Sequence, residues 1–279
     1  MRITREVSIF LYKFKIFRRI IPSLIKKIIK LYDKPFTIIN HNNFKLNLNL
    51  NNPIDREIYL TKKYEEKNIL LLKKLIKKNN IEYFFDVGAH MGFYSTNLAA
   101  YFPNILIRSF EPIANNYNQL KSNIDLNDFS RNVKIHKKAL SNKTKRIKMW
   151  VPIKSKTGGF SIYNNKDKEL KKYDMKKVSY EFSNSVRLDD ICKIKNKKIA
   201  IKIDVERHEQ FVIEGGKKFF KDNQIILQVE LFDDVKKNTE LMLKKMKFSF
   251  LKYNGKDYFY STIKSKIKNN EHPFYKKRI

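Results

Sequence analysis

Between Tyr64 and about Ile263 the sequence alternates short apolar runs with helical patterns, and that alternation limits the fold more than any single motif. Repeated strand–helix–strand units build a largely parallel sheet with helices on its faces. Apolar runs at 81–87, 105–111, 132–138, 198–204, 224–231, 247–252 and 257–263 read as strands. The patterns at 65–79, 93–101, 114–127, 188–194, 210–221 and 234–246 read as helices. Only Asn254-Gly255 and their neighbours separate the last two strands, a hairpin signal that makes those two antiparallel. The stretch 141–197 is too long for a simple crossover. It is expected to hold an extra strand at 145–151 and a loop or small subdomain above the site. The Lys-rich tail 264–279 reads as disordered.

Two other patterns precede this region. In residues 1–35, Phe10, Phe14, Phe17, Ile21, Leu24 and Ile28 recur at helical steps, with Lys13, Arg18, Arg19, Lys26, Lys27 and Lys30 between them. A basic amphipathic helix of this kind suits an anionic membrane surface and equally suits folding back on its own domain. Pro22 is expected to kink or split it. Residues 36–63 read as extended chain, because Phe44, Leu46, Leu48 and Leu50 alternate with Lys45, Asn47 and Asn49. Phe36–Ile39 can pair with that strand across the His41-Asn42-Asn43 turn. The expected organisation is an extension over 1–63, an α/β domain over 64–263 with an insertion at 141–197, and a basic tail.

A net charge of +32 on 279 residues would attract nucleic acid, anionic lipid or a polyanionic substrate. The chain is also rich in Lys, Asn and Ile together, as A/T-rich coding produces, so charge does not choose the function. Cys192, the single cysteine, excludes an intramolecular disulfide and fits a reducing compartment. The N-terminal apolar runs are too short and too often broken by Lys and Arg for a signal peptide or a membrane span. A cytoplasmic protein is expected, peripheral at the membrane if the first helix binds lipid.

Glycine is scarce, and two of the seven fall in Phe85-Asp86-Val87-Gly88-Ala89-His90-Met91-Gly92, after an apolar strand and before a helix. Glycine there permits a tight turn and a close backbone approach. Asp-x-Gly-x-x-x-Gly is not the Gly-x-Gly-x-x-Gly fingerprint that seats a pyrophosphate on bare amides. It suits a ligand with no phosphate but with an ammonium group that Asp86 can meet, as S-adenosylmethionine (SAM) has. An ordinary strand-to-helix turn is the competing reading. About twenty residues on, the run Ile105–Phe110 ends in Glu111-Pro112. An acid at the end of the second strand is placed to accept hydrogen bonds from both hydroxyls of a ribose.

The segment Lys202-Ile203-Asp204-Val205-Glu206-Arg207-His208-Glu209 closes the fourth strand of the main sheet. First and fourth strands lie side by side at the switch point of such a sheet, so the glycine motif and this cluster face one crevice. If the chain stays extended, Asp204, Glu206 and His208 point to one side. Such a trio can hold a divalent metal or supply a general base. The alternative is a helix N-terminus that favours acids, with His208 solvated or capping.

These segments resemble the FkbM family of SAM-dependent methyltransferases. The likeness runs in order through Tyr64-Glu65, Asp86 to Ser95, Phe110-Glu111-Pro112, Leu120, Asn123, Ala139-Leu140-Ser141, Leu188-Asp189-Asp190, Lys202 to Glu206, His208-Glu209 and Gly215. It implies a class I, Rossmann-like α/β fold with a mostly parallel seven-stranded sheet ending in an antiparallel hairpin. It also implies methyl transfer from SAM, usually to oxygen, with a sugar, a glycan or another small hydroxylated metabolite as acceptor. The cofactor site implied comprises Asp86, Gly88, Ala89, Gly92, Tyr94, Glu111, Pro112, Leu140, Ser141 and Asp204. With Asp86 and Glu111 committed to the donor, Glu206 is the candidate base or metal ligand, Asp204 its positioner and His208 the competing base. Two residues depart from the family pattern: Arg207 stands where Gly is usual, and His90 where Asn is common.

Two other functions compete. An RNA methyltransferase would suit the charge, but the sequence shows no aromatic-plus-basic RNA module and no Asn/Asp-Pro-Pro-Tyr/Phe loop. A membrane-associated binding protein with an inactive fold is the other.

Overall fold

The computed structural model describes residues 10, 12, 14–17, 20–24, 27, 35–152 and 178–263. In chain order the first half comprises β1 (Phe36–His41), β2 (Phe44–Asn49), α1 (Pro53–Thr61), α2 (Glu66–Asn79), β3 (Tyr83–Val87), α3 (Phe93–Tyr101), β4 (Leu106–Phe110), α4 (Ala114–Asp125), β5 (Val133–His136), β6 (Ala139–Leu140) and β7 (Lys145–Pro152). The second half comprises β8 (Val178–Val186), α5 (Leu188–Ile191), β9 (Lys198–Ile203), α6 (Glu209–Gly215), α7 (Lys217–Asp222), β10 (Gln224–Glu230), α8 (Asp233–Lys245), β11 (Ser249–Asn254) and β12 (Asp257–Ser261).

Seven strands form the main sheet in the order β11-β12-β10-β9-β3-β4-β5. All run parallel except β12, which is antiparallel to β10 and to β11. The sequence dictates the centre. In β9 Ile199, Ala200, Ile201 and Ile203 are all fully buried, as a strand covered on both faces requires. Lys202 is the buried exception, and its ammonium pairs with Asp204 at 2.9 Å. Helix α3 buries seven of its nine residues, the polar Ser95, Thr96 and Asn97 among them, so it is a core helix rather than an amphipathic one.

β1 and β2 form the expected hairpin, turning at Asn42 with φ 52°. Leu46 and Leu48 are fully buried in the same core as Leu72, Phe84 and Leu98, so the hairpin packs directly on the α/β layers. The reading of 36–63 as extended fails after Asn49. Asn52 caps a helix there by accepting from the Ile54 N–H at 2.9 Å, and Pro53 opens it. The helix expected over 210–221 breaks at Gly216 into α6 and α7, and the end of α6 packs so closely that a Cβ on Gly215 would stand 2.0 Å from the Ser141 carbonyl oxygen. Within 141–197, β7 pairs antiparallel with β8, and β8 pairs parallel with β6 in a three-stranded sheet. Of the N-terminal stripe, Ile21 is buried in the core with Phe17 packed against it, while Phe10, Phe14 and Leu24 are exposed. Ile28 and the tail 264–279 lie outside the described residues. Among the described residues, no helix is long and apolar enough to cross a membrane.

Candidate active site

The carboxyl ends of β3, β4, β9 and β10 open onto a cavity of about 410 Å3, at the switch point where strand order reverses about β3. That volume falls in the usual range for small-molecule sites. Part of the wall is apolar, with Ile113, Ala139, Leu140 and Met149. Another part is acidic, with Glu65, Asp204, Glu206 and Glu230.

Gly88 lies in the wall with φ 79°, and the Gly88 and Ala89 N–H groups both donate to the Phe110 carbonyl at 3.0 Å. What approaches Gly88 so closely is protein: a Cβ there would meet the Asp204 carbonyl oxygen at 1.9 Å. At Gly92 a Cβ would meet the end of the Leu120 side chain at 2.3 Å. Asp86 departs from its expected place. It is buried beneath α3 and outside the cavity wall, where one carboxylate oxygen accepts from the Ser95 N–H at 3.1 Å and the Ser95 hydroxyl at 2.6 Å. It caps α3 from the adjacent strand, because an acid is favoured at a helix N-terminus. Its other oxygen has no hydrogen-bond partner among the described residues.

Glu111 lies in the wall and is itself buried. One oxygen accepts from the His90 N–H at 2.9 Å, the other from the Ile113 N–H at 2.9 Å and from Asn116 at 3.3 Å. Burial pushes its carboxyl up to about 7, against these hydrogen bonds. A carboxylate offers about four lone-pair sites. One therefore remains open, and a second opens if the long Asn116 contact yields.

Strand β9 ends at Ile203, and the chain then turns through Glu206 (φ 53°) and Arg207 (φ 74°), both left-handed. Glu209 clamps this loop, one oxygen accepting from the Val205 and Arg207 N–H groups at 3.1 Å each. Burial, and then the Asp204 charge, push Glu206 up to about 7. Burial and the same neighbour push Glu230 up to about 9, so it stays protonated and donates to Asp204. Burial also works to raise Asp204, but Lys202 and that hydrogen bond hold it below its ordinary value.

The turn separates the expected trio. Asp204 and Glu206 reach the cavity, but His208 does not. Its Nε2 lies 3.0 Å from the Ser141 hydroxyl, its ring stacks on Phe211, and burial lowers it to about 4. An imidazole outside the cavity wall, made a weak base by burial, is poorly placed to take a proton there. Leu140 and Pro112 line the cavity; Ala89, Gly92, Tyr94 and Ser141 do not. The Tyr94 hydroxyl donates to Glu65 at 2.5 Å and accepts from Gln228 at 3.0 Å. Glu65, Glu230 and Lys256 also line the cavity; the sequence signals for them are Tyr64-Glu65 in the family likeness and the acid that ends β10, while Lys256 has none. Among the described residues, no group of three or more His, Cys, Asp or Glu could hold a metal ion.

A family profile described as "Methyltransferase FkbM domain" matches residues 86–257, more than half of the chain. No curated protein matches the sequence. Among solved structures, the chain is similar to a methyltransferase FkbM from Methylobacillus flagellatus KT at 12% identity and a TM-score of 0.45, over 75% of this chain and 52% of that one. It thus spans about half that protein's length. A precorrin-6y C5,15-methyltransferase from Geobacter metallireducens GS-15 is similar at 10% identity and a TM-score of 0.40, over 71% and 88% of the two chains.

Proposed function

The chain belongs to the FkbM methyltransferase family, and from that premise we propose that it moves the methyl group of SAM to a hydroxyl of a small acceptor such as a sugar or glycan unit. The observation that carries this reading is one cavity, at the switch point, that joins buried Glu111 to the Glu206 and Asp204 carboxyls. SAM supplies, when bound, a methyl group already activated by its sulfonium. The wall residues fit such a donor. Glu111 offers acceptor sites for a ribose diol, Leu140, Ile113 and Met149 offer an apolar seat, and Glu65 and Asp204 offer negative charge for an ammonium. Asp86 and Gly88 act through shape, holding α3 and the β9 loop where these groups converge.

A hydroxyl is a poor nucleophile until its proton leaves, so a base must stand beside it. Glu206 is the candidate, since it faces the cavity with a value of about 7. Asp204 lies in the same wall and holds a hydrogen bond from Glu230. The assay that tests the reading scores S-adenosylhomocysteine (SAH) release with sugar acceptors. Turnover that requires RNA instead would overturn it.

One observation favours that second reading. On the three-stranded sheet, Lys148 lies opposite Phe182 and Trp150 opposite Tyr180, so they share a face with Arg146. Lys148 Nζ is 3.7 Å from the Tyr180 ring, Arg146 is 4.1 Å from Phe182, and both rings are about half exposed. Aromatic faces interleaved with cations suit single-stranded nucleic acid. RNA turnover would then fall steeply between about 50 and 200 mM salt, and sugar turnover would not.

A further inference from the structure

We propose that Arg207 and Lys256, held against Phe232 in the cavity wall, form an anion subsite, so that the acceptor is an acidic sugar bearing a carboxylate or a phosphate ester. The proposal deepens the acceptor reading above and rests on it.

Three segments converge to build the subsite. Arg207 comes from the loop after β9, Phe232 follows β10, and Lys256 sits in the turn between β11 and β12. The Arg207 guanidinium carbon lies 4.2 Å from the centroid of the Phe232 ring, and Lys256 Nζ lies 3.9 Å from the same centroid. All three residues line the cavity together with Glu206. Arg207 reaches this place through a left-handed backbone, φ 74°, directly after left-handed Glu206. A long charged side chain rarely adopts that conformation, and it persists only where its surroundings enforce it. Glu209 supplies the enforcement by accepting the Arg207 N–H at 3.1 Å.

The guanidinium Nε donates to Asp234 at 3.0 Å, but the Asp234 side chain is 59% exposed, so solvent screens that pair and an incoming anion can compete with it. Guanidinium and ammonium groups are the side chains that recognise carboxylate and phosphate. Both charges also lie near enough to Glu206 to lower its value, after burial and Asp204 have raised it. An anion held there sits beside the candidate base, where it would orient a neighbouring hydroxyl. The donor's own carboxylate is the rival occupant of the two cations.

Full-length protein carrying 15N-labelled arginine tests this, with the Arg207 Nε signal assigned by its loss in Arg207→Gly. Glucuronate, glucose 1-phosphate and glucose are titrated with and without saturating SAH, and SAH affinity is measured separately. The proposal expects the signal to move saturably with at least one acid and not with glucose. It expects Lys256→Ala to weaken that acid by about ten-fold, one lost charged hydrogen bond, and to leave SAH affinity unchanged. The acid that saturates first identifies carboxylate or phosphate. A signal moved by neither acid, or moved equally by glucose, would overturn the subsite. So would acid binding untouched by Lys256→Ala, or an equal loss of SAH affinity in that variant. Failure of SAH to bind at all strikes the donor reading instead, and the titration without SAH still decides the subsite.

Discussion

The Asp204 carbonyl oxygen stands 1.9 Å from the point that a Cβ on Gly88 would occupy. The two loops that define the cavity are therefore locked against each other, with the Asp204 N–H donating to the Val87 carbonyl at 3.0 Å alongside. A methyl group at Gly88 must also adopt φ 79°. Gly88→Ala is expected to cost about 1–3 kcal/mol of stability from backbone strain, before the displaced loop is counted. In a domain of this size that lowers the melting midpoint by about 2–4 °C per kcal/mol. An unchanged melting curve would mean that the loops are not locked.

Glu206→Gln should keep SAH affinity and lower turnover by the roughly 10²–10⁴-fold attributed to a general base. Because Glu206 stands at about 7, wild-type kcat/KM should rise with pH through that value as the carboxylate forms, then level off. The variant should lose that limb. A full limb remaining in Glu206→Gln would assign the base elsewhere.

How much of this was readable in the sequence depended on whether a signal was local. β9 announces itself through an apolar run, Ile199 to Ile203, broken only by Lys202, and the Asn254-Gly255 hairpin through its turn residues. Glu111 is legible as a cavity residue because it directly follows the strand beside the one that carries the glycine turn. The extended geometry that would align His208 with Asp204 and Glu206 gives way to two left-handed residues, a conformation that neither Glu206 nor Arg207 signals by type, and His208 takes the alternative place at the N-terminus of α6. Nothing in the sequence shows Ser95 of α3 coming back over Asp86, so only the expectation of a ligand contact is legible there. The Arg146, Lys148, Trp150, Tyr180 and Phe182 face escaped notice because its two strands are far apart in sequence and join only by register.

His208→Ala should leave turnover close to wild type and lower the melting temperature, since the ring fills a buried site against Phe211 and Ser141. Loss of turnover with an unchanged melting curve would return His208 to the chemistry.

Stability should fall as pH rises from about 6 to about 9. Burial holds Glu111 and Glu206 at about 7, Glu209 at about 8 and Glu230 at about 9. Unfolded, each titrates near its ordinary value of about 4.3, so in this window the folded chain binds more protons than the unfolded chain. Their contribution is complete below the unfolded value and is lost as pH passes each folded one. Thermal melts across the window, with Glu230→Gln flattening the upper end, check this. Stability that rises with pH would contradict it.

The central claim is that the cavity beside Glu111 takes the adenosyl donor. Isothermal titration of the full-length protein with SAH measures it directly, with NAD as the comparison ligand. One site for SAH is predicted, with no heat from NAD and a loss of about 1–3 kcal/mol in Glu111→Ala as charged hydrogen bonds to the ribose disappear. NAD binding in place of SAH, or SAH affinity unaltered by Glu111→Ala, would contradict the account.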